Sequence, residues 1–312
     1  MHILVTGGAG FIGSAVSESL VNRGYKLTIV DDLSSGSLNN LIGIDSKYSF
    51  IKKGIEDLNS EDLKGIDAII HLAAQISVQN SIDKFYTSSR SNLLGAIKVI
   101  HLCSVLKIPL IYASSAAIYG NLEFGDDESS LINPLSPYAV DKYSIELYAE
   151  MAYRIMGLSS IGLRFFNIYG PRQNPLNTYS GVISKFLFNL LNEENLVVNG
   201  GNQTRDFVYV YDAANVIVLS LEKVLKEKVN DVINVLTGRS VSINWLADHL
   251  IDNHGRSLRK IFKPLPLGDP EKSTGNRRKL LGVLKKDYKF TDVEEGLIKT
   301  KEYIIDEIKE TK

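Results

Sequence analysis

One cysteine, Cys103, stands in the 312-residue chain, so neither a disulfide framework nor a thiolate zinc site is open to it. Long apolar runs are missing too: no stretch approaches the ~20 residues that a membrane-crossing helix requires. Neither charge is in excess, with 35 Lys and Arg against 36 Asp and Glu. Nucleic-acid binding through bulk electrostatics would need a basic surplus, and there is none. At the start, Met1-His2-Ile3-Leu4-Val5 runs directly into glycines with no basic segment before it. No secretory leader is therefore expected, and the expectation is a cytoplasmic protein. What the chain does hold is 44% apolar and 23% charged residues. That is the balance of a folded protein with room for one large or two ordinary domains.

The first half alternates short Val-, Ile- and Leu-rich runs with helical patterns. Runs at 2–6, 26–30, 48–51, 67–72, 109–114 and 160–165 are bounded by Gly, Asp or Ser, as strands buried on both faces are. Helical spacing is clearest over 11–23, 91–106 and 137–156. Strand alternating with helix predicts an α/β fold, a doubly wound parallel sheet of Rossmann type covered by helices on both sides. From about Asn167 the pattern loosens. A turn-rich stretch at 174–181, a helix at 182–191, strands at 207–210 and 232–235, a Pro-rich loop at 264–270 and an amphipathic helix at 293–308 follow. The reading is a first domain over 1–166, to which segments around 205–236 return, and a smaller α/β lobe mainly over 167–312.

Thr6-Gly7-Gly8-Ala9-Gly10-Phe11-Ile12-Gly13 sits where the first strand turns into the first helix. Gly7 suits a tight turn, Gly10 a close approach of backbone N–H groups to a pyrophosphate, and Gly13 tight packing of helix on strand. The helix N-terminus then favours the phosphates. An ordinary turn would also explain glycines, but Asp31 ends the next strand 18 residues after Gly13. A carboxylate there accepts hydrogen bonds from ribose hydroxyls and repels a 2′-phosphate. No Arg follows in Asp32-Leu33-Ser34-Ser35-Gly36, so the expected cofactor is NAD rather than NADP.

Ser136-Pro137-Tyr138-Ala139-Val140-Asp141-Lys142 opens a helix, with Ser136 as N-cap and Pro137 at the first position. Tyr138 and Lys142 are then one turn apart on one face. A free tyrosine has a pKa of about 10, and ionising it near neutrality asks for about 4 kcal/mol. One ammonium at about 5 Å and an effective dielectric of about 20 supplies roughly 3 kcal/mol. A cationic nicotinamide could supply the remainder. The same spacing recurs at Tyr48 and Lys52, but inside a strand, where it reads as sheet packing. Ser114-Ser115-Ala116-Ala117-Ile118-Tyr119-Gly120 leaves the C-terminal end of a strand, the edge where open α/β sheets bind ligands. A serine there can bond both the phenolate and a substrate hydroxyl; Ser115 is the first choice and Ser114 the second.

Together these segments resemble the extended short-chain dehydrogenase/reductase family, in its nucleotide-sugar epimerase/dehydratase branch. His71-Leu72-Ala73-Ala74-Gln75, Asn92-Leu93-Leu94-Gly95, the run from Leu163 to Gln173 and Thr204-Arg205-Asp206-Phe207-Val208-Tyr209-Val210 extend the match through nearly the whole chain. The resemblance implies that Gly7, Gly10, Phe11, Ile12, Gly13, Asp31, Asp32, Ser35, Gly36, Ile55, Leu72, Ala73, Ala74, Gln75, Asn92, Ala113, Tyr138, Lys142 and Phe165 contact NAD. It implies a UDP-sugar substrate held by Ser115, Tyr138, Asn167, Val182, Val198, Arg205, Asp269 and Ser273. It gives His71 a packing and hydrogen-bonding role. Related dehydratases carry an Asp-Glu pair after the serine, whereas Ala116 and Ala117 stand here and cannot move protons. The segment therefore looks like that of a UDP-hexose 4-epimerase, with C4 inverted through a 4-keto intermediate and NAD retained throughout. Epimerases of UDP-N-acetylglucosamine or UDP-glucuronate are the enzyme alternatives, and a noncatalytic NAD sensor or scaffold is the alternative of another class.

Three positions depart from the branch pattern. Lys53-Gly54-Ile55 replaces Gly-Asp-Ile at the adenine contact, and Asn199 replaces the first glycine of a Gly-Asp-Gly turn. Pro266 replaces a phosphate-gripping arginine, for which Lys263 and Arg259 are the candidate substitutes. Ser273 falls at a position that limits room around the sugar, and its small size suggests space for N-acetylated hexoses. The helices at 91–106 and 137–156 are expected to pair across a homodimer as a four-helix bundle; neither nucleic acid nor membrane is an expected partner.

Overall fold

The computed structural model describes residues 1–177, 180–255, 258–266 and 269–310, except the side chains of Ile308 and Glu310. Parts of the stretches at 174–181 and 264–270 thus lie outside the described residues. The six apolar runs of the first half form β1 (His2–Thr6), β2 (Lys26–Asp31), β3 (Tyr48–Lys52), β4 (Ala68–His71), β5 (Leu110–Ser115) and β6 (Ser160–Phe165). Later strands are β7 (Asn167–Tyr169), β8 (Leu196–Asn199), β9 (Thr204–Tyr209), β10 (Asn230–Val235), β11 (Ser240–Ser242) and β12 (Lys260–Lys263). The helices used below are α1 (Phe11–Asn22), α2 (Val78–Asp83), α3 (Phe85–Ser89), α4 (Gly95–Leu106), α5 (Pro137–Met156), α6 (Val182–Leu191) and α7 (Val210–Lys226).

Among the described residues, seven strands make one parallel sheet in the order β10-β6-β5-β4-β1-β2-β3. Alternate residues of each strand face opposite sides, which is why the runs are apolar throughout. Ile3, Val5, Ile29 and Ile70 join a core with Val16 and Leu20 of α1 and Val216 and Ile217 of α7. Leu4, Val30, Ile69 and Leu110 join the opposite core with Val99 and Ile100 of α4 and Ile145 and Ala149 of α5. Strand order reverses between β1 and β4, so the loops leaving their C-terminal ends diverge and open a crevice there. β10 extends this sheet from far along the chain, while β11-β9-β7 and the pair β12-β8 build the smaller lobe. No described helix is long and apolar enough to cross a membrane.

The helix expected over 91–106 is not uniformly α-helical. Arg90–Leu94 is a π-helical turn, and α4 begins only at Gly95. The wider turn coincides with an inward polar contact: Asn92 is 2% exposed, and π-bulges commonly occur at such functional positions.

Candidate active site

β1 delivers Thr6 to the crevice and the chain turns at Gly7, whose φ of +68° is left-handed. A Cβ on Gly7 would lie 2.7 Å from the backbone N of Ala73, and one on Gly13 would lie 2.0 Å from the carbonyl of Gly7. Only glycine lets the two loops and the start of α1 come this close. Gly10 is the N-cap of α1, and no side chain caps that end. Its first-turn N–H groups therefore remain for an anion. Asp31, buried at the end of β2, accepts from Ala9 N at 3.0 Å and Leu33 N at 2.9 Å. One lone pair on each oxygen is left for ribose hydroxyls. Gly36 lies against the same carboxylate, whereas Asp32 and Ser35 are exposed beside it. Phe11 and Ile12 open α1, partly buried against its core. This cradle has the donors, the carboxylate and the absent side chains that a dinucleotide pyrophosphate and ribose need.

The opposite wall is the loop after β4. Thr6 Oγ1 accepts from Leu72 N and Ala73 N at 3.2 and 3.3 Å and meets His71 Nδ1 at 2.8 Å. With two N–H groups arriving, the threonine proton is left for His71. Burial and the nearby Lys142 charge depress His71 to about 3, so the ring is a neutral structural group. Asn92 grips this loop through the Gln75 backbone, accepting from its N at 2.7 Å and donating to its O at 2.9 Å. Both ends of the Asn92 amide thus hold Gln75 and shape the 72–75 loop that walls the expected cofactor cleft. Ile55 opens a short 3₁₀ turn and packs on the core behind that wall.

α5 presents the side chains expected to react. Ser136 Oγ accepts from Ala139 N at 3.2 Å and Pro137 has no N–H to satisfy. Tyr138 N donates to Ser81 Oγ of α2 at 3.1 Å, so every N–H at this helix start that points outward is held. Ser81 gave no signal in the sequence, since its partner is 57 residues away. Lys142 Nζ donates to Ala113 O at 2.8 Å and lies 5.8 Å from the centroid of the Tyr138 ring. Burial lowers Lys142 to about 8, against the carboxylates of Asp141 and Glu146. Tyr138 is raised above its usual value by burial, partly offset by the Ser115 hydrogen bond. Lys142 is anchored to the Ala113 carbonyl and faces the Tyr138 ring. The chain's own groups keep the phenol protonated near neutral pH, and more of its ionisation falls to a positive charge supplied alongside.

Ser115 and Ser114 separate cleanly. Ser115 is half-exposed, accepts from Ala117 N at 3.1 Å and bonds to Tyr138. Ser114 points into the interior, where its hydroxyl donates to Glu146 at 2.5 Å. The second choice is therefore excluded by the alternation of β5. Phe165, buried at the end of β6, stands in register with Ser115.

In the smaller lobe, Asn167 Nδ2 donates to Ser273 Oγ at 3.2 Å, joining two expected substrate contacts. Arg205 is buried and lies 3.8 Å from the Asp269 carboxylate, joining two expected nucleotide contacts. An Arg205–Asp206 ion pair is not what forms, because Asp206 is turned to Thr237, Gly238 and Arg239. Val182 opens α6, partly buried. Val198 is corrected: it is 0% exposed and sits in the lobe core with Leu196, Ile183 and Phe186. With period two along β8, Val197 and Asn199 face outward instead. Lys263 ends β12, three residues before Pro266, whereas Arg259 precedes the strand's other end.

A family model described as the NAD dependent epimerase/dehydratase family matches residues 3–235. The chain belongs to that family. It is an NAD-dependent epimerase, and its Rossmann-type sheet holds NAD. A putative UDP-glucose 4-epimerase of Methanocaldococcus jannaschii is 38% identical over 266 residues, 82% of this chain and 84% of that protein. The structure of UDP-N-acetylglucosamine 4-epimerase from Methanobrevibacter ruminantium M1, in complex with UDP-N-acetylmuramic acid, is 34% identical. It superposes with a TM-score of 0.91 over 98% of each chain. UDP-glucuronic acid 4-epimerase from Bacillus cereus, in complex with UDP-glucuronic acid and NAD, is 29% identical with a TM-score of 0.90. It covers 98% of this chain and 99% of that one. The two solved relatives thus hold different UDP-sugars on one fold.

Proposed function

We propose that this epimerase is a UDP-hexose 4-epimerase that interconverts UDP-glucose and UDP-galactose without releasing NAD. The observation that carries the reading is the Ser115–Tyr138–Lys142 constellation followed by Ala116 and Ala117. It supports proton transfer at one sugar hydroxyl and offers no acid pair for eliminating water. NAD bound in the cleft supplies a reversible acceptor for the C4 hydride. Tyr138 takes the 4-OH proton as C4 is oxidised and returns it after the sugar has turned. Ser115 holds that hydroxyl in line, while Lys142 stays fixed on Ala113. The test is purification without added cofactor, identification of the nucleotide released by heat, and assay against a panel of UDP-sugars. NAD release with inversion of UDP-galactose supports the reading; a turnover seen only with another nucleotide sugar removes it.

Ser273 favours a second substrate class. It is small, partly buried and paired with Asn167, which leaves space where an N-acetyl group could enter. UDP-N-acetylgalactosamine is expected to be turned over as well. Ser273→Tyr is expected to cut that activity about 100-fold while UDP-galactose turnover stays within about threefold, since filling a pocket discriminates by size. Equal losses on both sugars would remove this second substrate.

The proposed partner is a second copy of the chain. On α5, Val140, Leu147, Met151 and Ile155 form an exposed apolar stripe at helical spacing, flanked by exposed Leu94 and Val105 from the adjoining π turn and α4. Stripes of this kind pair helices. Sedimentation equilibrium at micromolar concentration is expected to give twice the 34.6 kDa chain mass. Monomer there, or a dimer unaffected by Met151→Glu, would remove it.

A further inference from the structure

Asn234 lies in the buried half of β10, one residue before its end, and is 0% exposed. Its side chain closes a three-way junction. Oδ1 accepts from Tyr119 Oη at 2.7 Å, and Nδ2 donates to Gly125 O at 3.1 Å and Asn276 O at 3.0 Å. The orientation of the amide is forced. Arg164 can only donate, and its Nη1 donates to Tyr119 Oη at 2.7 Å, so the tyrosine proton must go to Asn234 Oδ1. The amide NH₂ then faces the two carbonyls. Arg164 in turn holds Glu146, one turn beyond Lys142 on α5. The junction therefore runs from the catalytic helix to two loops of separate origin.

Those loops are 121–128, which follows the Ser115 segment, and 272–276, which carries Ser273. They meet in a parallel bridge between Gly125 and Gly275. A Cβ on Gly275 would lie 2.6 Å from Gly125 O, so the contact is too close for any other residue. Gly125 N donates to Thr274 O at 2.9 Å and Asn276 N to Gly125 O at 2.8 Å. Lys272 pairs with Glu123 at 3.0 Å. Asn234 is the buried group that ties this bridge to the sheet.

We propose that Asn234 is a positioning residue that sets the distance between Ser273 and Tyr138, and so governs which sugars reach the catalytic tyrosine. The proposal rests on the UDP-hexose reading above. Asn234→Asp is the sharpest variant: it keeps shape and the acceptor for Tyr119 but turns an acceptor on two carbonyls. It is expected to raise KM for UDP-galactose about tenfold with a smaller fall in kcat, because displacement of a positioning wall by ~1 Å has effects of that order or more. The ratio of kcat/KM for UDP-N-acetylgalactosamine over UDP-galactose is expected to rise. NAD content is expected to stay at the wild-type level, and hydrogen exchange at 272–276 to quicken while α4 is unchanged. Asn276→Ala, which removes a side-chain tie to Asp126 and Glu128 at 3.0 and 2.9 Å, reaches the same segment from a half-exposed position. It is expected to shift the ratio in the same direction even where the buried variant fails to fold. Either variant, folded and with KM and sugar ratio both within twofold of wild type, overturns the proposal. Wild-type protein inert on every UDP-sugar removes the function reading and this proposal together, whereas active wild type with unresponsive variants removes the proposal alone.

Discussion

Tyr138→Phe is expected to lower kcat on UDP-galactose by about 10³-fold or more, in the upper range of what a positioned acid–base group contributes. Stability should change little. The phenolic oxygen's hydrogen bond is to Ser115, and Ser115 keeps its bond with Ala117 N. Removing a buried hydroxyl also removes its desolvation cost, which is the effect that raises this tyrosine. NAD should remain bound, because Asp31, the Gly7–Gly13 turn and Lys142 on Ala113 are untouched. A coupled assay, a thermal melt and quantitation of the heat-released nucleotide read the three quantities. Turnover within tenfold of wild type would move the proton to another group, and loss of the melt along with turnover would make the tyrosine structural. A noncatalytic sensor predicts no change in any of them, although such a protein has no use for Lys142 facing the ring.

How far this site was legible in the sequence depends on how its parts are connected. The glycine turn, Asp31 and the Tyr138–Lys142 pair lie within single strand–turn–helix units, where spacing alone decides which side chains share a face. The six strands of the first half were readable for the same reason, and none of their ends moved by more than about one residue. Contacts between distant segments left no such trace. Ser81 beneath Tyr138, Glu146 beside Ser114, and Asn234 between two loops are ordinary polar residues until the sheet brings them together. A polar residue between Ile233 and Val235 was the available signal for Asn234, because a buried amide must find partners. Val198 shows the converse. Position within a family motif placed it at the nucleotide, while alternation along Leu196–Asn199 already turned it inward. The π-helical turn at Arg90–Leu94 was hidden because one extra residue barely disturbs helical apolar spacing.

Glu146→Ala is the variant expected to cost most in stability. Its carboxylate takes two donors from Arg164, at 2.9 and 2.7 Å, and the Ser114 hydroxyl at 2.5 Å. Both charged side chains are under a tenth exposed. Deleting the acid leaves a guanidinium inside the protein with Tyr119 as its one hydrogen-bond partner among the described residues, and breaking a buried pair this way costs about 3–5 kcal/mol. With a urea slope of about 1–3 kcal/mol/M, the unfolding midpoint should fall by at least ~1 M. Catalysis should respond separately. Glu146 helps to hold the Lys142 proton against burial, so its loss, with the Arg164 charge left unbalanced, lowers the lysine further. Any fraction that folds should therefore lose activity at lower pH than wild type as pH rises. Glu146→Gln keeps hydrogen-bonding capacity without the charge and should fall between the two proteins in both measurements. A midpoint shift below ~0.3 M for Glu146→Ala would mean that Arg164 finds another partner or water when the carboxylate is gone. The link from α5 through Tyr119 to Asn234 would then rest on hydrogen bonding rather than on buried charge.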